Sequence, residues 1–254
     1  MNLFANRRPA VGPALSLLRP VAVLLSLVGA MAVAAEPEVD PRAWDGRLDT
    51  LHQYAAPSAE GKTALMTAAG EGDLDRAREL LQSGAEIDAR NANGGTALMY
   101  AVSAGDIPMV RVLLAAGADP NARARIGWTP LLVGAAKGRS EAIAVLLGVG
   151  ADPNETDAYG WTPLMRAVSG GHVAAVEVLL DSGRADLQVR EESGATALHI
   201  AAGRGYTAIL QRLLEAGAET SAADGSGRTP ADVARLQGHS EAEALLRARA
   251  RRAG

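Results

Sequence analysis

Four histidines, His52, His172, His199 and His239, are the side chains whose type alone points to chemistry, because imidazole binds metals and moves protons near neutral pH. Their spacing argues against both uses. No two of them stand three to five residues apart, as paired metal ligands do, and His172 and His239 occupy the same place in the chain pattern, each just after a glycine. Gly61-Lys62-Thr63 resembles the end of a phosphate-binding loop, but the earlier glycine that such a loop needs would be residue 56, which is Ala56. Gly225-Ser226-Gly227 lacks a surrounding strand–helix unit and reads as a turn. There is no nucleophile elbow and no zinc-protease helix, and nothing brings two of the many carboxylates into one desolvated cleft. Cysteine is absent, which excludes disulfides, thiolate metal sites, cysteine nucleophiles and a lipidated cysteine. These readings lead to no catalytic residues, no metal site and no cofactor.

The elements that carry these residues explain their regularity. A threonine recurs at Thr63, Thr96, Thr129, Thr162, Thr196 and Thr229, at steps of 33 or 34 residues. Pro130, Pro163 and Pro230 follow three of them, as expected where threonine caps a helix and proline takes its first turn. A short helix with small residues on one face follows each threonine, and Gly72, Gly105, Gly138, Gly171, Gly205 and Gly238 break it. A second helix carries Leu80-Leu81, Leu113-Leu114, Leu146-Leu147, Leu179-Leu180, Leu213-Leu214 and Leu245-Leu246 on its buried stripe. Glycine ends five of these second helices, and Asp119-Pro120-Asn121 and Asp152-Pro153-Asn154 supply turn residues for an excursion to the next unit. Aromatic residues are only 3% of a chain that is 48% hydrophobic. Such a core is built from Ala, Leu and Val in closely packed thin helices.

Gly127-Trp128-Thr129-Pro130-Leu131, Gly160-Trp161-Thr162-Pro163-Leu164 and Thr196-Ala197-Leu198-His199-Ile200-Ala201-Ala202 resemble the ankyrin repeat and its G-x-T-P-L-H-x-A pattern. The resemblance runs over about residues 58–250. It implies an all-α repeat fold, an ankyrin solenoid of about six helix-turn-helix units joined by β-hairpin loops, the last unit serving as a cap. It also implies that His199 bonds to neighbouring backbone. Arg184 is an insertion, and Asp186-Leu187-Gln188-Val189 lacks the Asp-Pro-Asn turn, which predicts a shifted or more mobile hairpin between the fourth and fifth units. Leu147, in mid-stack, is expected to matter more for stability than Leu246 in the cap.

Family resemblance further implies a concave groove, lined by hairpin tips and first helices, that binds other proteins. At those positions Arg125, Trp128, Lys137, Tyr159, Trp161 and Arg204 are the candidate partner-binding residues, being rich in the Trp, Tyr and Arg typical of binding hot spots. The two tryptophans also have a packing reading, along the stack of hairpins. Tyr100 and Arg166 share a first-helix position and read as structural.

Residues 1–35 hold Arg7, Arg8 and Arg19, no acid, an uncharged run from Pro20 to Ala35 and the small-residue site Ala32-Val33-Ala34, the layout of a signal peptide. An uncleaved anchor is the alternative. Residues 36–57 are expected to form an N-terminal cap, with Trp44, Leu48 and Leu51 on one helix face. The expected location is periplasmic or secreted. Beyond residue 35 the chain has 22 Lys and Arg against 29 Asp and Glu, the wrong balance for nucleic acid. The partner that the ankyrin resemblance implies is a protein, met by a monomer away from the membrane unless the signal is retained. The expected function is a non-enzymatic scaffold, with an inhibitor or immunity protein that masks a toxin or enzyme as the alternative.

Overall fold

The computed structural model describes residues 61–253; the expected signal peptide (1–35) and N-terminal cap (36–57) lie outside the described residues. Twelve α-helices follow in pairs among the described residues. They are α1 (Ala64–Glu71) and α2 (Leu74–Gln82), α3 (Ala97–Ala104) and α4 (Ile107–Ala115), α5 (Pro130–Ala136) and α6 (Ser140–Gly148). The second half continues with α7 (Pro163–Ser169) and α8 (Val173–Asp181), α9 (Ala197–Arg204) and α10 (Thr207–Glu215), α11 (Pro230–Leu236) and α12 (Ser240–Ala253). Odd-numbered helices stack on one another as one layer, and even-numbered helices form the second.

Local chemistry sets each pair. The hydroxyls of Thr63, Thr129, Thr162 and Thr229 accept from the N–H three residues on at 3.2–3.3 Å, removing one orphan donor from each helix start. Thr196 instead shares His199: backbone N–H and hydroxyl of Thr196 both lie within reach of Nδ1, at 3.2 and 2.9 Å. His199 Nε2 then donates to the Arg228 carbonyl at 3.0 Å, so the ring joins the fifth unit to the sixth. Thr96 makes no side-chain cap bond, and its buried hydroxyl has no partner among the described residues.

The core is a continuous column of Ala, Leu, Val, Ile and Met, including Met66, Leu98, Met109, Leu113, Ile143, Leu146, Leu179, Leu198 and Leu213. In each middle pair the first leucine is the buried one: Leu113, Leu146 and Leu179 are fully covered, while Leu114, Leu147 and Leu180 are half-buried. In the last unit Leu246, 1% exposed, takes the place of those first leucines, 17 residues after its threonine. The expected pairing of Leu245-Leu246 is thus one residue out of register, and the ranking of Leu147 above Leu246 is corrected: Leu146 is the mid-stack counterpart.

The loops turn back where β-hairpins were expected, but no described residue is in a strand. Each tip closes on one backbone pair, such as Asp157 N–H to Trp161 O at 3.1 Å and Gly160 N–H to Asp157 O at 3.0 Å. Single bonds stitch one tip to the next: Arg125 to Asn93 O (2.8 Å), Ala158 to Ile126 O (2.8 Å), Glu192 to Tyr159 O (3.3 Å) and Gly225 to Ser193 O (2.7 Å). A second stitch runs at the loop starts, where the side chains of Asp88, Asn121 and Asn154 accept from Asp119, Asp152 and Asp186 N–H. The Arg184 insertion does not shift the following tip. Its guanidinium bonds to the Leu147 and Ala151 carbonyls of the unit before, and the Glu192–Tyr159 stitch is kept.

Candidate functional site

One acceptor recurs at the base of the tips. Asn91, Asp157, Glu191 and Asp224 each accept, through one side-chain oxygen, from the N–H groups two and four residues on, at 2.8–3.1 Å. This closes a tight turn in which only the glycine has positive φ. The third unit has Ala124 there and lacks the acceptor. Its tip is a short 3₁₀ turn, Arg125–Gly127, that places Ile126 at φ 54° and ψ 23°. Ile126 is the sole non-glycine residue with positive φ among the described residues, and a β-branched side chain there is strained.

The acceptor of the fourth unit does more than close its turn. Asp157 and Arg166 are both buried and form an ion pair, with Arg166 Nε at 2.9 Å from Asp157 Oδ2 and Nη2 on the same oxygen. Arg166 lies between two indoles, 5.1 Å from the Trp128 ring and 4.6 Å from the Trp161 ring. In the second unit the same two positions hold Asn91 and Tyr100, joined by an amide-to-hydroxyl bond of 3.1 Å, and Lys62 lies 4.6 Å over the Tyr100 ring. Residues at the tip stems therefore lean on the odd-numbered helices, which places tips and first-helix ends on one face.

The six candidate residues divide on this frame. Arg125 is exposed at its tip, and Tyr159 is half-buried at the next. Lys137 is the C-cap of α5 and Arg204 the last residue of α9, both half-buried and both eight residues after the threonine of their unit, two units apart. The side chains of Arg125, Lys137 and Arg204 have no charged or hydrogen-bonding partner among the described residues. Trp128 is corrected: at 3% exposure it is a core residue clamped against Arg166, and its buried Nε1 donor has no partner among the described residues. Trp161 is half-buried and holds the other side of Arg166. Arg123, close to these residues in sequence, is committed to Glu155 and to the Thr156 carbonyl. Sequence reasoning missed Asp157 and the strain at Ile126; the recurrence of Asn, Asp, Glu and Asp at residues 91, 157, 191 and 224, broken by Ala124, was the available signal.

Burial holds His199 below the ordinary imidazole value, against bonds and charges that raise it, so it sits neutral between two units. His172 and His239 reach back to the Ala136 and Gly203 carbonyls at 3.1 Å, the ends of first helices one unit earlier. Among the described residues no group of three or more His, Asp or Glu side chains is placed to hold a metal ion. No helix among them is long and apolar enough to cross a membrane.

Models of ankyrin repeats match residues 43–124 and 116–191, and a further one matches 181–234. The crystal structure of the ankyrin repeat protein EF0377 superposes with a TM-score of 0.67 at 36% identity, covering 72% of this chain and 96% of that one. Shorter similarities reach the tyrosine-protein kinase HTK16 of Hydra vulgaris, 41% identical over 63 residues, and protein phosphatase 1 regulatory subunit 12A of Mus musculus, 44% over 55 residues. These cover 25% and 22% of this chain but only 8% and 5% of those much longer proteins.

Proposed function

The chain belongs to the ankyrin-repeat family, and from that premise we propose that it is a non-enzymatic scaffold that acts outside the cytoplasm and holds a protein partner along the tips and first-helix ends of its middle units. Stacked repeats offer an extended surface rather than a pocket. The observation that carries the reading is the placement of Arg125, Tyr159, Lys137 and Arg204 on one face, with no partner for the three cations among the described residues. Cations and aromatics left at an exposed face are what binding hot spots are made of. Export is supported by the arginines, apolar run and small-residue site of residues 1–35.

The test is a pull-down from host extract with three baits: the parent chain, Arg125→Ala/Tyr159→Ala, and the even-helix control Arg111→Ala. A partner held by parent and control but lost with the tip pair supports the reading, provided circular dichroism shows equal folding. A partner held equally by all three places the interface elsewhere and overturns it.

A further inference from the structure

Resting on that reading, we propose that the partner segment taken by this face is an acidic, extended polypeptide with apolar side chains between its carboxylates. The argument begins from charge segregation. The whole chain is net negative, at -4. On the tips and first-helix ends of the third to fifth units, however, the free charges are Arg125, Lys137 and Arg204, against Glu192. Arg139 adds a guanidinium whose Nε alone is engaged, by the Ser103 carbonyl at 3.0 Å. The even-numbered helices of the same units carry the opposite sign. There Glu141 is exposed, and Arg212 is surrounded by Glu177, Asp181 and Glu215 at 2.8–3.6 Å. A face of one sign on a body of the other steers oppositely charged partners to that face.

The spacing of the cations selects peptide over nucleic acid. Lys137 and Arg204 occupy equivalent places, and in the unit between them that place is taken by the uncharged Gly170. A duplex carries a phosphate about every 1.7 Å of its axis, a density that three separated cations do not match and that the acidic body repels. Carboxylates several residues apart on an extended chain match it one by one. Between the cations, Ile126 and Tyr159 sit at adjacent tips, both half-buried, and offer apolar surface to the intervening side chains. Ile126 is held in the left-handed region where its unit lacks the turn-closing acceptor, so its presentation at the tip is kept at a cost in backbone strain.

The experiment is fluorescence anisotropy of a fluorescein-labelled oligo-glutamate peptide titrated with the full-length chain, in low and high salt, beside labelled oligothymidylate. Two variants with the same change in net charge are compared: Arg125→Glu/Lys137→Glu/Arg204→Glu, and the control Arg111→Glu/Arg251→Glu/Arg252→Glu. The expected result is salt-sensitive binding of oligo-glutamate, weakened about tenfold or more by the first variant and little by the second. Equal weakening by both means that net charge alone attracts the peptide, and overturns the proposal. Oligothymidylate that binds as tightly through the same three residues overturns it in favour of nucleic acid. No binding of oligo-glutamate by the parent chain overturns the acidic chemistry alone; loss of the captured protein with Arg125→Ala/Tyr159→Ala then shows that the groove reading still stands.

Discussion

Asp157→Ala removes one carboxylate and leaves four donors without their acceptor. Two belong to the Arg166 guanidinium, whose side chain is 5% exposed, and two are the Tyr159 and Trp161 backbone N–H groups. Tyr159 and Trp161 are half-buried, so water replaces part of the loss at the turn. It cannot replace it at Arg166, fixed between two rings. Leaving a buried charge unpaired costs about 3–5 kcal/mol, and that sets the expected loss. Asp157→Asn keeps the turn acceptor, as Asn91 does, yet turns an amide donor toward the guanidinium, so it should lose nearly as much. The double change Asp157→Asn/Arg166→Tyr transplants the pair of the second unit into the fourth. It should return to within about 1–2 kcal/mol of the parent, the remainder being two cation–π contacts of roughly 0.5–1 kcal/mol each. Urea unfolding followed by far-UV circular dichroism and tryptophan fluorescence reads all four proteins, with midpoints compared only where the slopes agree. A loss below about 1 kcal/mol for Asp157→Ala contradicts the burial argument. A double variant no better than Asp157→Asn shows that the two units are not interchangeable frames.

Other expectations follow from the same contacts. Trp128→Phe keeps a ring on Arg166 and deletes an unpartnered donor, so it should stay within about 1 kcal/mol of the parent, whereas Trp128→Ala should lose about 3–5 kcal/mol in urea melts. Ile126→Gly should raise stability by about 1 kcal/mol by relieving positive φ; an unchanged or lowered midpoint removes the strain argument. Leu146→Ala should cost about 2–5 kcal/mol and exceed Leu246→Ala, because Leu146 has units on both sides; a reversed order in melts contradicts the nearest-neighbour picture. For pH, the unfolded state takes up a proton at His199 near 6.5 while the folded state resists it, so stability is unaffected above that pH and falls as pH drops below it. His199→Gln should flatten that part of the curve. Asp224 and Asp232 act in a lower window. Burial alone raises Asp224, but bonds from Arg228 and Ser226 outweigh it, and bonds from Thr229 lower Asp232, so both stabilise above 3.8 and lose this as pH falls through their folded values.

The repeat was legible because it is written redundantly. Six threonines in step, each at a helix start, report one local solution six times, and a misreading at one copy is corrected by the others. Where a reading depended on a single copy it went astray: Leu245-Leu246 was aligned as a pair although only Leu246 keeps step with Leu213 and Leu179. The tips were harder for a physical reason. A tryptophan before the threonine has the same sequence neighbours whether it faces a partner or the next unit, and what decides between them at Trp128 is a residue 38 positions away, Arg166. Nothing local announces that contact.

That distinction also explains where the binding face should lie. A side chain at a tip stem, one place before the threonine, can be taken up by the next unit: Trp128 is buried against Arg166, and Lys62, though exposed, lays its ammonium over Tyr100. The stitches between tips are made by backbone atoms, and among the described residues the side chains of Arg125 at its tip and of Lys137 and Arg204 at the ends of first helices meet no such partner. Their chemistry is open to a partner for the same geometric reason that Trp128 is closed to one.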